Sequence, residues 1–219
     1  MLHTAGFGYE FFGHEDLRYR QSRGIPSSIE CTFESVQSVL LFEPGERWNH
    51  GVNIDGVGRV VEAARGKRLG EVCRERIFEP LGMVDIGFEM TPSMAERRTT
   101  IHQRAQDGTL TPQPDLVFPQ PPPMDMGGHG IYASMGEYMK FIRTILYDGA
   151  APDGTQTLQP ATVQKMASNG LGQLRSGGWI TSIPSLSNAG SSPALPGLRL
   201  LPRIRRLRNR GLPPPSLKR

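Results

Sequence analysis

Apolar residues fall into helical register only from the middle of the chain onward. Val57, Val60, Val61 and Ala64 recur at three- and four-residue spacing and share one helix face. Asp55 offers that helix an N-cap, shared with Asn53, and Gly66 stops it. Leu69, Val72, Cys73 and Ile77 carry the pattern into a second helix that ends before Pro80. The turn Leu81-Gly82-Met83 then leads to a short extended piece near Ile86 to Phe88. The strongest stripe is Tyr138, Phe141, Ile142, Ile145 and Leu146. Ser134 and Glu137 form a capping box before it, and Asp148-Gly149 closes it. Pro160 at a first-turn position predicts one more short helix through Met166.

Elsewhere the pattern is broken. Residues 91–125 carry prolines at 112, 114, 119 and 121–123 and read as irregular, with a hairpin around Asp107-Gly108. Gly127-Gly128-His129-Gly130 reads as a flexible loop feeding the Ser134 cap. The first 45 residues are rich in Gly, Ser and aromatics and weakly periodic. They predict loops with one short helix around Phe33 to Leu41, then a turn at Pro44-Gly45. After Asn188 the character changes. Residues 189–219 hold six prolines and eight basic residues, with no acidic or aromatic side chain. Such a segment buries too little apolar area to offset its chain entropy, so disorder is expected there.

Composition alters this picture in one respect. The 219 residues carry a net charge of +4, yet no Asp or Glu lies beyond Asp153, so residues 1–153 are net −6 and the surplus sits in the tail. Global basicity is therefore a poor guide to partners. The five arginines between 203 and 210 predict only salt-dependent, sequence-blind binding of polyanions, without aromatics for base stacking. Cys31 and Cys73 read as idle thiols, and the five histidines show no metal-ligand spacing, so no metal or cofactor is expected. No signal peptide is visible at the start, and the longest strongly apolar run is Val39 to Phe42. No membrane span is expected, and the default location is cytoplasmic.

Four stretches carry a resemblance. They are His3-Thr-Ala-Gly-Phe7; Glu43-Pro-Gly-Glu-Arg-Trp-Asn-His-Gly-Val-Asn-Ile-Asp55; Ile77-Phe-Glu-Pro-Leu-Gly-Met83 with Asp85 and Gly87-Phe88; and Met126-Gly-Gly-His-Gly-Ile-Tyr-Ala-Ser134. In order and spacing over residues 1–188 they resemble the β-lactamase-related serine hydrolases: class C β-lactamases, penicillin-binding proteins and family VIII carboxylesterases. The resemblance implies an α+β chain, a fragment of the β-lactamase/transpeptidase-like fold that is mainly its helical middle region. Residues 1–188 would form a partial domain and 189–219 an irregular tail.

The resemblance also implies acyl transfer to and from a small-molecule ester or amide. That chemistry uses a serine with a lysine one helical turn away, a proton-relaying tyrosine and a strand that shapes the oxyanion pocket. The only lysines are Lys67, Lys140, Lys165 and Lys218, preceded at three residues by Ala64, Glu137, Thr162 and Pro215, so no Ser-x-x-Lys exists here. In the family that motif lies upstream of the His3 segment and would precede Met1. No Gly-x-Ser-x-Gly elbow replaces it, and Gly177-Gly178-Trp179 does not match the family's strand motif. His50 stands where family members carry the tyrosine. It is either a base, since a neutral imidazole accepts a proton near pH 7, or a loop histidine with no proton to move. Trp48, Asn53 and His129 are the remaining candidates, as substrate contacts. The expectation is a serine hydrolase segment that does not turn over alone. The alternatives are an active esterase using another nucleophile such as Ser134, or a non-enzymatic binder acting through the tail.

Overall fold

A computed structural model of the chain describes residues 2–105, 107–175 and 182. Its elements run α1 (His14–Arg23), α2 (Asn53–Arg65), α3 (Leu69–Cys73), β1 (Ile86–Gly87), α4 (Pro92–Glu96), β2 (Ile101–Arg104), β3 (Leu110–Gln113), β4 (Tyr132–Ala133), α5 (Met135–Leu146) and α6 (Pro160–Met166). Short 3-10 turns occupy Ser28–Glu30 and Glu34–Val36. The second of these is all that forms of the helix expected at Phe33 to Leu41.

Several elements follow directly from their punctuation. Gly66 adopts φ 64° and takes α2 out of the helix, its N–H donating to the Glu62 carbonyl. β2 and β3 pair antiparallel around Asp107-Gly108, with Ile101 opposite Gln113 and Arg104 opposite Leu110. β1 and β4 make a second two-stranded pair, with Ile86 opposite Ala133 and Gly87 opposite Tyr132. α3 runs on into a wide π turn, Arg74–Phe78, which brings Phe78 inward.

The sequence pattern misplaced three features, each because a polar group points inward. α1 lacks an apolar stripe; its buried positions are Asp16 and Arg20. The Arg20 Nε donates to Asp16 Oδ2 at 2.8 Å and lies 3.6 Å from Glu10 Oε2, and one terminal nitrogen donates to the Ser35 carbonyl at 2.7 Å. Buried charge is tolerated only when paired in this way. In α5 the capping box is half made. The Ser134 hydroxyl accepts from the Glu137 N–H, while the buried Glu137 carboxylate accepts from the Val84 N–H at 3.1 Å and from Lys140 at 2.9 Å. Tyr138 and Leu146 of the predicted stripe stay exposed. Asp55 and Asn53 do not cap α2, which starts at Asn53 itself and has no side-chain cap.

Seven of the buried apolar residues form two small clusters. Phe78, Leu81, Met83 and Ala151 pack with Ile77, Ile86 and Phe141, and Cys31, Met124 and Met126 pack with Val36 and Phe118. Large apolar side chains such as Val60, Val84 and Met135 remain on the surface. Among the described residues no helix is long and apolar enough to cross a membrane. Gly177-Gly178-Trp179 and the basic segment 189–219, with its expected polyanion binding, lie outside the described residues.

Candidate active site

The site is assembled by stitching the first ten residues against the loop 41–52. Backbone N–H groups of Leu41, Gly45, Asn49 and Val52 donate to the carbonyls of Gly6, Thr4, His3 and Gly8 at 2.7–3.2 Å. The Asn49 side-chain amide adds a bond to the Phe7 carbonyl at 2.9 Å. Gly51 is required at this crossing, because a Cβ there would stand 2.7 Å from the Gly8 Cα. The close approach presents His50 beside Tyr9, with ring centroids 5.3 Å apart, and beside Phe12 at 5.5 Å.

Below them lies Asp55, fully buried in the first turn of α2. One carboxylate oxygen accepts a short hydrogen bond from the Tyr9 hydroxyl, and the other accepts from the Gly128 N–H at 2.8 Å. One carboxylate thus ties together the N-terminal segment, α2 and the glycine-rich loop. Burial, reinforced by Asp55, pushes the Tyr9 hydroxyl far above its ordinary range, so it stays protonated and acts as a donor. Gly128 carries His129 into the same region. The His129 ring lies 5.0 Å from Phe118, its Nδ1 lies 4.0 Å from Asp55, and its Nε2 lies 3.2 Å from the Ser28 carbonyl. A carbonyl only accepts, so Nε2 is the nitrogen that bears hydrogen.

These residues wall a cleft of about 590 Å³ whose lining is mostly apolar, with Phe11, Phe118, Ile131 and Tyr132 on its sides and Arg98 and Thr99 among its polar groups. His50 and His129 both open on it. Trp48 and Asn53 are not among its lining residues. The Trp48 ring packs 6.0 Å from His3, and Asn53 lines a separate depression with Ala5, Phe7 and Val57. Burial lowers the His50 pKa, the neighbouring His3 lowers it further and Asp55 opposes both, so its imidazole is neutral at pH 7.

Among the described residues the cleft presents no side chain of the family's nucleophile pair, serine and lysine, and no cysteine. Ser134 is occupied as the α5 cap. Cys31 Sγ lies 3.8 Å from His129 Nε2, but burial, with Asp55 and Asp125, pushes its thiol up to about 11, the wrong direction for a reactive thiolate. Lys67 and Lys140 are engaged by Glu75 and Glu137. Sequence reasoning missed Tyr9 and the inward role of Asp55. The aromatic run Phe7 to Phe12 was the available signal for the first.

Comparison with known proteins identifies the architecture. An engineered simvastatin synthase from Aspergillus terreus superposes with a TM-score of 0.64 at 31% identity, over 77% of this chain and 40% of that one. EstCE1, a hydrolase with promiscuous acyltransferase activity, shares the fold at a TM-score of 0.59 and 24% identity, over 76% of this chain and 48% of that one. In sequence, the monacolin J acid methylbutanoyltransferase of Aspergillus terreus is 34% identical over 173 residues, 76% of this chain and 40% of the enzyme. The lovastatin esterase of Penicillium rubens is 29% identical over 181 residues, 78% and 43% respectively. The class is therefore the serine hydrolase and acyl-transfer superfamily built on the β-lactamase/transpeptidase fold. Within it the chain belongs to the Beta-lactamase family, whose profile matches residues 1–187. The chain spans about 40% of the length of the curated relatives it matches.

Proposed function

We propose that these residues form the proton-accepting and acyl-binding part of an acyl-transfer site, and that this polypeptide by itself binds ester substrates without turning them over. The observation that carries this reading is the cleft itself. A neutral imidazole, His50, lines it between apolar walls, and among the described residues no serine, cysteine or lysine lines it; the resemblance that sets His50 at the family's tyrosine position supports the same reading. Acyl transfer needs an activated nucleophile to form the covalent intermediate, and a base alone does not supply one. The apolar lining favours small esters with short or branched acyl groups, a class consistent with the methylbutanoyl transferase and the esterase among the relatives. Within the cleft His50 acts as the base, and His129, donating from Nε2 to the Ser28 carbonyl, holds a wall in place. Trp48 and Asn53 support the loop and helix around His50 and do not touch substrate.

The test is a titration of the 15N-labelled protein with ethyl butyrate, with chromatographic assay of released butyrate. The expected result is amide shifts at Tyr9, Phe118 and Tyr132 with no butyrate above the buffer control. Absent shifts overturn the binding site, and butyrate release overturns the dependence on an outside nucleophile.

A further inference from the structure

Arg98 is the single permanently charged side chain among the described residues that line the cleft, where Ile101, Leu116 and Val117 are its companions. The fold fixes where this half-buried residue stands. It follows α4 and precedes β2, its backbone N–H donates to the Ala95 carbonyl at 3.4 Å, and its guanidinium donates to the Pro114 carbonyl just beyond β3. The side chain thus clasps the two ends of the β2–β3 hairpin. That clasp uses one of the five guanidinium N–H groups and brings no negative charge to the cation.

The chain supplies no carboxylate for the rest. Every Asp and Glu of the sequence falls within the described residues. Among these, none forms an ion pair with Arg98, including Glu96 and Asp115, which lie close to Arg98 and Pro114 in the chain. Its neighbour is the contrast. Arg97, which does not line the cleft, donates to both oxygens of Asp85 at 2.7 and 2.9 Å. Of two consecutive arginines, the chain neutralises the one outside the cleft and leaves the one on its apolar wall without a counter-ion. A charge held against apolar surface is ordinarily paired, and a few such polar groups are what give an apolar cleft its selectivity.

We propose that Arg98 is a specificity-determining residue whose guanidinium receives a carboxylate of the substrate, so that the cleft selects esters carrying a free acid group. The planar fork of N–H groups matches the two oxygens of a carboxylate, and these charge-assisted bonds are stronger than those to a neutral acceptor. The apolar remainder of the lining takes the acyl chain. This inference rests on the reading of the cleft as an ester site and names the class of ester.

The experiment compares monoethyl succinate with ethyl butyrate, two esters of matched length in which a carboxylate replaces a methyl group. Each is titrated into the 15N-labelled full chain at pH 7.5, with the Arg98 Nε–H and the Phe118 and Tyr132 amides as reporters. Monoethyl succinate is expected to bind about tenfold more tightly, the scale of one hydrogen-bonded contact between charged groups. Arg98→Gln is expected to bring it down to the affinity of ethyl butyrate, and Arg98→Lys, which keeps the charge without the fork, to retain part of the preference. Unchanged far-UV circular dichroism and unchanged Tyr9 resonances in each variant separate this from loss of fold. Equal affinities of the two esters in the unmodified protein overturn the proposal and leave the ester site standing, as does a preference that survives in Arg98→Gln. Butyrate ion alone, an anion without an ester, keeps the two readings apart. If it shifts the Arg98 Nε–H while neither ester moves Phe118 or Tyr132, the anion-binding role of Arg98 stands and the ester reading falls.

Discussion

Replacing Asp55 with alanine removes the group that joins three segments beneath the cleft. The variant leaves the Tyr9 hydroxyl and the Gly128 N–H without their acceptor in a site that is closed to solvent on the Asp55 side. A hydrogen bond to a charged group contributes about 1.5–3 kcal/mol, and a buried donor left unpaired costs about 1–3 kcal/mol. Two such donors, partly relieved by water entering the space, put the expected loss at about 3 kcal/mol, roughly a hundredfold in the folding equilibrium. Urea unfolding followed by the fluorescence of the two tryptophans measures it. Tyr9→Phe alone is expected to cost about 1–2 kcal/mol, since Asp55 keeps its bond from Gly128. In the Asp55→Ala background the same change is expected to be close to neutral, because the hydroxyl has already lost its partner. The cycle should therefore return a coupling of about 1–2 kcal/mol. A loss below about 0.5 kcal/mol in Asp55→Ala, or additive single and double variants, would refute this account of the site.

Two further outcomes follow from the buried charges at α1. Arg20→Met strands Asp16 and Glu10 without their cation and is expected to cost about 3–5 kcal/mol by the same unfolding assay; a smaller loss than Asp55→Ala would contradict it. Burial alone would raise the Glu10 carboxyl. Bonds from the Ser27 hydroxyl and from backbone N–H groups, with Arg20, outweigh it and hold the group below the usual carboxylate range. A depressed acid stabilises the fold above its unfolded value, about 4.3, and that contribution is lost as pH falls through the lower folded value. The urea midpoint should accordingly fall with pH below about 4.5, and Glu10→Gln should flatten that slope.

What could be read from the chain alone follows the kind of force holding each part. α2, α5 and α6 carry stripes, stop signals or an N-terminal proline, and the hairpin at Asp107-Gly108 carries its turn residues, so local rules suffice for them. α1 was invisible because its inward face is Asp16 and Arg20, which hydropathy scores as surface. Asp55 was misread for a related reason. An acidic residue at a helix start has two uses, as a cap or as an inward acceptor, and only its distant partners Tyr9 and Gly128 decide between them. His50 was a candidate from its place in the 43–55 stretch, and it lines the cleft. Its neighbour His3 was not one, since the pairing spans 47 positions and depends on backbone crossing at Gly51. The missing Ser-x-x-Lys needed no structure, only the positions of the lysines.

At the centre stands the proposal that this polypeptide offers a base and an acyl-binding cleft and that none of its serines is activated for acyl transfer. Intact-mass analysis after incubation with an alkyl fluorophosphonate tests it most directly, because the reagent marks any serine that is activated for acyl transfer. The account predicts an unmodified mass under conditions where ethyl butyrate still shifts the Tyr9 and Phe118 resonances. A stoichiometric phosphonyl adduct on Ser134 or any other serine would contradict it.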